Sequence, residues 1–219
     1  MELKGKKIVC LGDSITAGSG ASVYEKCWVA LLAEISGADV RNFGIGGTRI
    51  ARQHSPSQDN PIYDRDFCLR ASEMDKDADV VIIFGGTNDY GHGDAEMGSF
   101  ADSTPDTFCG ALNWLFTYLK ATYPAAKIVV LTPLHRRNEN NLRGDGSKKK
   151  DVAALSEYVE NIRAAAKSFG LNVLDLFLES GIDPANGTDD ADYFTDGLHP
   201  NDKGHALVAK LVAEYLQKL

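Results

Sequence analysis

The chain has 219 residues, 43% of them hydrophobic and 25% charged, with a formal net charge of −8. This length and mix suit one α/β domain over residues 1–219 with a sizeable core. The acidic balance argues against nucleic acid or an anionic membrane surface as main partner, since both call for a basic face, and no stretch approaches the ~20 continuous apolar residues of a membrane span.

The opening "MELKGKKIVCLGDS" is basic but reaches Gly12 and Asp13 after too few apolar residues for a secretory signal. A cytoplasmic location is expected, or secretion if a leader was removed before Met1. The first buried strand is predicted over Lys7–Leu11. Trp28, Leu31, Leu32 and Ile35 then repeat at helical spacing, and a second strand is predicted over Asp39–Phe43. A third follows at Asp79–Phe84. Phe108, Leu112, Leu115, Phe116 and Leu119 mark the next helix, ahead of a strand at Lys127–Leu131. Val152, Leu155, Val159, Ile162 and Ala166 mark another, ahead of a strand at Asn172–Leu176. Leu207, Val208, Leu211, Val212, Tyr215 and Leu216 mark the last helix. Near-continuous Val and Ile runs indicate strands buried on both faces, as in a parallel sheet. Strands alternating with helices predict a doubly wound, three-layer α/β fold on a five-stranded parallel sheet with right-handed crossovers. Cys10, Cys27, Cys68 and Cys109 are widely spaced, with no CxxC pair, and are expected as reduced, buried thiols.

Open sheets of this kind bind ligands beyond the carboxyl ends of their strands. The segments there are "GDSIT", "NFGIGGTR", "GGTNDYGHG", "TPLHRRNENNLRGDGSKKK" and, farther on, "DYFTDGLHP". They bring a serine, two glycine-rich backbones, an asparagine and an Asp-x-x-His to one edge. Acyl transfer needs this set. Ser14 becomes nucleophilic only when a base takes its proton. His199 can be that base, with Asp196 on its other ring nitrogen to fix the tautomer and stabilise the imidazolium. The backbone N–H groups of Ser14 and Gly47 and the side-chain amide of Asn88 are candidate oxyanion donors. Asn201 is a candidate cap for the last helix.

These four blocks, "GDSIT", "NFGIGG", "GGTND" and "DGLHP", resemble in order those of the GDSL/SGNH hydrolase family, across Gly12 to Pro200. Ile15 stands where the family name has Leu. The resemblance implies a flavodoxin-like α/β/α sandwich that hydrolyses carboxylic esters or thioesters without a cofactor. It implies Ser14 as nucleophile, Asp196 and His199 as the rest of a triad, and Ser14, Gly47 and Asn88 as the oxyanion hole. Counting from Asn42 aligns Gly47, rather than Gly46, with the family's glycine. A small-molecule ester is the expected partner. Short acyl groups, including O-acetyl groups on sugars, suit a small domain. Lysophospholipid or acyl-CoA thioester hydrolysis would use the same machinery.

Other residues have plainer readings. Asp13 braces the nucleophile loop, and Asp89 is a structural turn residue. His54 and His205 are non-catalytic, while His92 and His135 lie on active-edge loops where substrate could touch them. Tyr24, Tyr90 and Trp114 are core or rim. Lys148–Lys150 reads as the solvated start of a helix. The insert Arg136–Lys150 is long for such a connection and reads as a mobile lid or rim, or as a plain disordered loop. Two rival functions remain. A phosphate or flavin site could use "SITAGSG", but it leaves Asn88, Asp196 and His199 unexplained. A metallohydrolase could use Asp13, Asp89, Asp196 and His199, but there is no H-x-x-x-H or D-x-H pair.

Overall fold

The computed structural model of the chain describes residues 1–57, 60–184 and 190–219. Its strands are β1 (Lys7–Gly12), β2 (Asp39–Gly44), β3 (Val80–Phe84), β4 (Lys127–Leu131) and β5 (Asn172–Leu174). Its α-helices, in chain order, are α1 (Ser14–Ala17), α2 (Trp28–Ser36), α3 (Phe67–Arg70), α4 (Thr87–Gly91) and α5 (Phe108–Thr122). They continue with α6 (Leu155–Ser168), α7 (Leu176–Glu179), α8 (Asp190–Tyr193) and α9 (Asp202–Lys218). All strand pairs are parallel, in the order β2-β1-β3-β4-β5. This is a three-layer α/β/α sandwich of the flavodoxin-like kind.

The core follows from the two-residue period of the strands. Val9, Leu11, Val81, Ile83, Ile128 and Val130 point to the face covered by α3, α5 and α6. Ile8, Cys10, Val80, Ile82, Val129 and Leu131 point to the face covered by α2 and α9. Both faces are apolar, so the inner strands β1, β3 and β4 read as near-continuous apolar runs, while the edge strand β2 has no buried residue. All four cysteines are buried and free.

Boundaries moved where polar groups intervene. The fifth strand was predicted to Leu176 but ends at Leu174, because Asp175 caps α7 by accepting from the Leu178 amide at 3.2 Å. Asp175 is also held by Thr132 Oγ1 at 3.0 Å and by Arg163. The helix signalled from Val152 starts at Leu155, because the Val152 amide donates to the Leu142 carbonyl at 2.7 Å. Asn201 caps α9 as expected, accepting from the amides of Lys203 and Gly204 at 3.0 and 3.1 Å.

The strand order reverses between β1 and β3, and their ends are paired at Gly12↔Phe84. α1 and α4 leave from that point, which is where ligands bind in such sheets. A buried arginine ties the edge together. Arg70 donates to the carbonyls of Phe43 (2.6 Å), Gly12 (3.0 Å) and Arg65 (2.9 Å) and to Thr48 Oγ1 (2.8 Å). Its charge is disfavoured by burial, which lowers its pKa to about 10. Replacing Arg70 by Met removes these donors and leaves buried acceptors unpaired. The expected net loss is about 2–3 kcal/mol, read as a lower denaturant midpoint. An unchanged midpoint would show that the cation's desolvation cancels its bonds.

Candidate active site

β1 ends at Gly12, and Asp13 caps α1 by accepting from the Ile15 amide at 3.0 Å. Ser14 is therefore the first residue of α1, and it is 7% exposed. His199 lies 185 positions later, on the loop between α8 and α9, yet its Nε2 is 2.9 Å from Ser14 Oγ. Its Nδ1 is 2.7 Å from Asp196 Oδ2. The other oxygen of Asp196 accepts from the amides of Leu198 (3.0 Å) and His199 (2.8 Å). The Asp-x-x-His spacing thus closes a turn on itself, and one carboxylate orients both the ring and the backbone that carries it. These bonds assign the proton to Nδ1 and leave Nε2 as acceptor for the serine hydroxyl. Burial disfavours the Asp196 carboxylate. The His199 amide, the His199 ring and the Leu198 amide outweigh it, so its pKa falls below the usual value.

The second block follows β2. Asn42 donates to the Thr16 carbonyl and accepts from the Gly44 amide, both at 2.8 Å, which locks this segment against α1. Gly46 packs against Ser14; a Cβ there would lie 3.7 Å from Ser14 Cβ. Gly47 has φ +74°, and a Cβ there would lie 2.5 Å from the Tyr63 ring, so both conformation and space call for glycine. The Gly47 carbonyl accepts from Arg49 at 2.9 Å and lies 3.4 Å from His92 Nε2. Asn88 is buried on α4 and donates through Nδ2 to the Thr48 carbonyl at 3.0 Å. An amide nitrogen carries two hydrogens, so this bond orients the group and leaves one hydrogen over.

The buried acids behave differently from each other. Asp89 accepts from the amides of Ile50 and Ala51, both at 2.9 Å, and so holds the segment after the second block. Asp13 is pushed up to about 6, mainly by burial, against the pull of the Ile15 amide, His199 and Arg70. Asp13, Asp89, Asp196 and His199 do not form a ligand cluster. Among the described residues, the group with ligating atoms close together is His135, Glu139 and Asp183. There His135 Nδ1 sits 2.9 Å from both oxygens of Glu139, and its ring lies on Phe177 at 3.6 Å between centroids. His205 is fully buried, accepting from the Trp28 amide and donating to the Ser19 carbonyl. His54 contacts the Asp106 carbonyl.

Sequence reasoning missed the cations. Arg49, Arg70 and Arg136 are all buried. Lys148, expected in solvent, is 8% exposed; its Nζ donates to the Asp89 carbonyl (2.8 Å) and Tyr158 Oη (2.9 Å). Burial lowers its pKa to about 8. The insert is anchored by the buried residues Arg136, Glu139, Gly144 and Lys148, and its other residues are exposed. The only sequence signal was the unusual density of Arg, Asn and Lys on an active-edge loop. A cavity of about 990 Å³ opens beside it, lined by His54, His92, Asp94, Met97, Lys148 and Val152, with His92 reaching from it towards Gly47.

Residues 10–207 match the model of the GDSL-like lipase/acylhydrolase family, and the chain belongs to that family. It is an acylhydrolase. A protein from Lactobacillus plantarum has a similar structure, with 29% identity, TM-score 0.83, and coverage of 99% of this chain and 98% of that one. A protein described as a GDSL-like lipase from Bacteroides uniformis shares the fold at 19% identity and TM-score 0.69, covering 98% and 97%. A two-domain esterase active on acetylated mannans shares it at 23% identity and TM-score 0.64, covering 99% of this chain and 49% of that one. A comparison with curated protein sequences gives no match. No helix among the described residues is long and apolar enough to cross a membrane.

The raised Asp13 carboxyl makes a stability prediction. Between its unfolded value of ~3.9 and about 6, the folded chain holds a proton that the unfolded chain has lost. Asp13 therefore costs stability as pH rises through that window, and the cost is complete above it. Asn keeps the cap acceptor without the charge. Asp13→Asn should melt higher than the parent at pH 8, by on the order of 1–2 kcal/mol, with the gap closing towards pH 5. A gap independent of pH would contradict a buried ionising carboxylate.

Proposed function

We propose that the chain is a serine esterase for short acyl groups, O-acetyl esters of carbohydrates foremost. The observation that carries this is the hydrogen-bonded line from Ser14 Oγ (2.9 Å) through His199 to Asp196 (2.7 Å). Ser14 Oγ attacks the ester carbonyl carbon as His199 Nε2 takes its proton. Asp196 stabilises the imidazolium so formed. The oxyanion is met by the N–H groups of Ser14 and Gly47 and by the spare hydrogen of Asn88 Nδ2. Collapse breaks the bond to the alkoxy oxygen, and His199 protonates the departing alcohol. Water then attacks the acyl-enzyme, with His199 again as base, and releases the acid.

Several features favour a small acyl group. Ser14 is almost fully buried, with Gly46 and His199 against it. Lysines, histidines and acids in the lining of the 990 Å³ cavity can hydrogen-bond a polar leaving group. The structural neighbour active on acetylated mannans points to the same substrate class.

A chain-length series of p-nitrophenyl esters beside an acetylated mannan oligosaccharide panel tests the preference. Rates should be highest for acetate. A maximum at eight or more carbons would replace this reading with a lipase or thioesterase. Ser14→Ala should lower kcat by ~10⁴-fold or more in a variant that melts like the parent.

Two further variants probe the site. Asp196→Asn presents an amide hydrogen to Nδ1 and so favours the wrong tautomer. It should lower kcat by on the order of 10³–10⁴, and a parental rate would remove Asp196 from the mechanism. Asn88→Ala should cost ~3 kcal/mol in the barrier, in kcat rather than KM. Asn88→Asp should be no faster, since a carboxylate offers no donor and repels the oxyanion; a faster Asp variant that a chelator silences would instead favour a metal.

A further inference from the structure

We infer that the insert Arg136–Lys150 is a strap that holds α4, and with it Asn88, in register, and that Arg136 and Lys148 are positioning residues for the oxyanion site. The inference rests on the proposed role of Asn88. α4 has five residues, opens at Gly86 with φ +106°, and has no side-chain cap on its first turn. A helix this short is not stable by itself, and its last carbonyls have no partners within it. Two of those carbonyls are taken by the insert. The Asp145 amide donates to the Gly91 carbonyl at 2.8 Å. Lys148 Nζ donates to the Asp89 carbonyl at 2.8 Å. The first turn is held as well: Arg136 Nη1 reaches the Thr87 carbonyl (3.3 Å) and hydroxyl (3.2 Å).

Other contacts complete the strap. The hydroxyl of Tyr90, on the same helix, shares its one hydrogen between the carbonyls of Asn138 and Asn141. Arg136 Nη2 pairs with Asp145, joining the two ends of the strap. Gly144 runs so close that a Cβ there would lie 2.2 Å from the Gly91 carbonyl oxygen, and its φ is +60°. Thr87, Asp89, Tyr90 and Gly91 are each held from outside, and Asn88 is carried between them. The strap is anchored in turn at α6, where the Leu155 amide donates to the Glu139 carbonyl at 2.8 Å. An oxyanion donor works only when it is fixed before charge develops, and a displacement of about 1 Å far from the chemistry can cost ~10²-fold.

The test is a double-mutant cycle on the intact chain, with p-nitrophenyl acetate as substrate. Lys148→Met keeps the side-chain length but donates nothing to the Asp89 carbonyl. It should lower kcat at least ~10-fold, with KM within about twofold. In the Asn88→Ala background the same change should lower kcat less than ~3-fold, because the donor it positions is already gone. Lys148→Arg, which restores a cationic donor, should recover part of the loss. Arg136→Gln, which cannot reach both Thr87 and Asp145, should behave like Lys148→Met and serves if that variant fails to fold. Full kcat in either folded variant, or equal losses with and without Asn88, would overturn the strap. Ser14→Ala and Asn88→Ala run alongside separate the two ideas. Losses in those two alone reject the strap and keep the esterase; a fully active Asn88→Ala removes the oxyanion role and the strap's function together.

Discussion

The carboxyl edge of a parallel sheet is a place where backbone groups lose their ladder partners, and the site of this protein is built by satisfying them. Buried polar groups must be hydrogen-bonded or they cost the full price of leaving water. Here the partners are charged side chains turned towards the main chain rather than towards each other. Arg70 takes the carbonyls of Gly12 and Phe43, at the ends of the two strands that carry the first and second blocks. Asp89 takes the amides of Ile50 and Ala51, and Arg49 takes the carbonyl of Gly47. Lys148 takes the carbonyl of Asp89 itself. Each bond fixes a backbone segment that lies close in sequence to Ser14, Gly47 or Asn88.

This arrangement exposes a tension between burial and charge. Asp13 is driven up to about 6 by desolvation, Arg70 is driven down to about 10, and Lys148 to about 8. None is held by an ideal buried ion pair, a type of contact whose desolvation often exceeds its attraction. In the proposed site these groups hold backbone amides and carbonyls rigid, which an oxyanion hole needs. A pre-fixed dipole pays no reorganisation when charge develops. Stability is given up at the edge and recovered in the two apolar layers, where the buried cores on both faces of the sheet are continuous.

Much of this was legible in the sequence, for physical reasons that also explain what was not. The strands β1, β3 and β4 were readable because they are apolar on both sides, whereas β2, at the sheet edge, has no buried residue and showed only through Val40 and Phe43. Their predicted and observed bounds differ by a residue or less. β5 was overread because Leu176 looks like strand until Asp175 is seen to cap a helix. Asp89 and Asp13 were read as structural from their position beside turns, and the bonds they accept agree. Lys148 was misread because three adjacent lysines look like solvated surface; burial of the first depends on a carbonyl and a phenol 59 and 10 residues away. Arg70 sits in "DFCLRASEM" with no pattern around it, and its partners are three backbone carbonyls and the Thr48 hydroxyl. Contacts from side chain to main chain leave no trace in residue type, which is why the motifs were visible and their supports were not.

The distance between the first and last blocks along the chain sets the last requirement. Ser14 and His199 come from opposite ends of the sequence, and a displacement of about 1 Å in either would break the 2.9 Å bond. α9 governs both. Its lead-in carries His199, and His205 within it donates to the Ser19 carbonyl while accepting from the Trp28 amide. Ser19 in turn donates its amide to the Ser14 carbonyl at 2.9 Å. His205 needs one bare ring nitrogen for this, and burial lowers its pKa and so favours the neutral ring. The nucleophile loop and its base are therefore referenced to one helix, packed by Val208, Ala209, Val212 and Leu216 against the sheet.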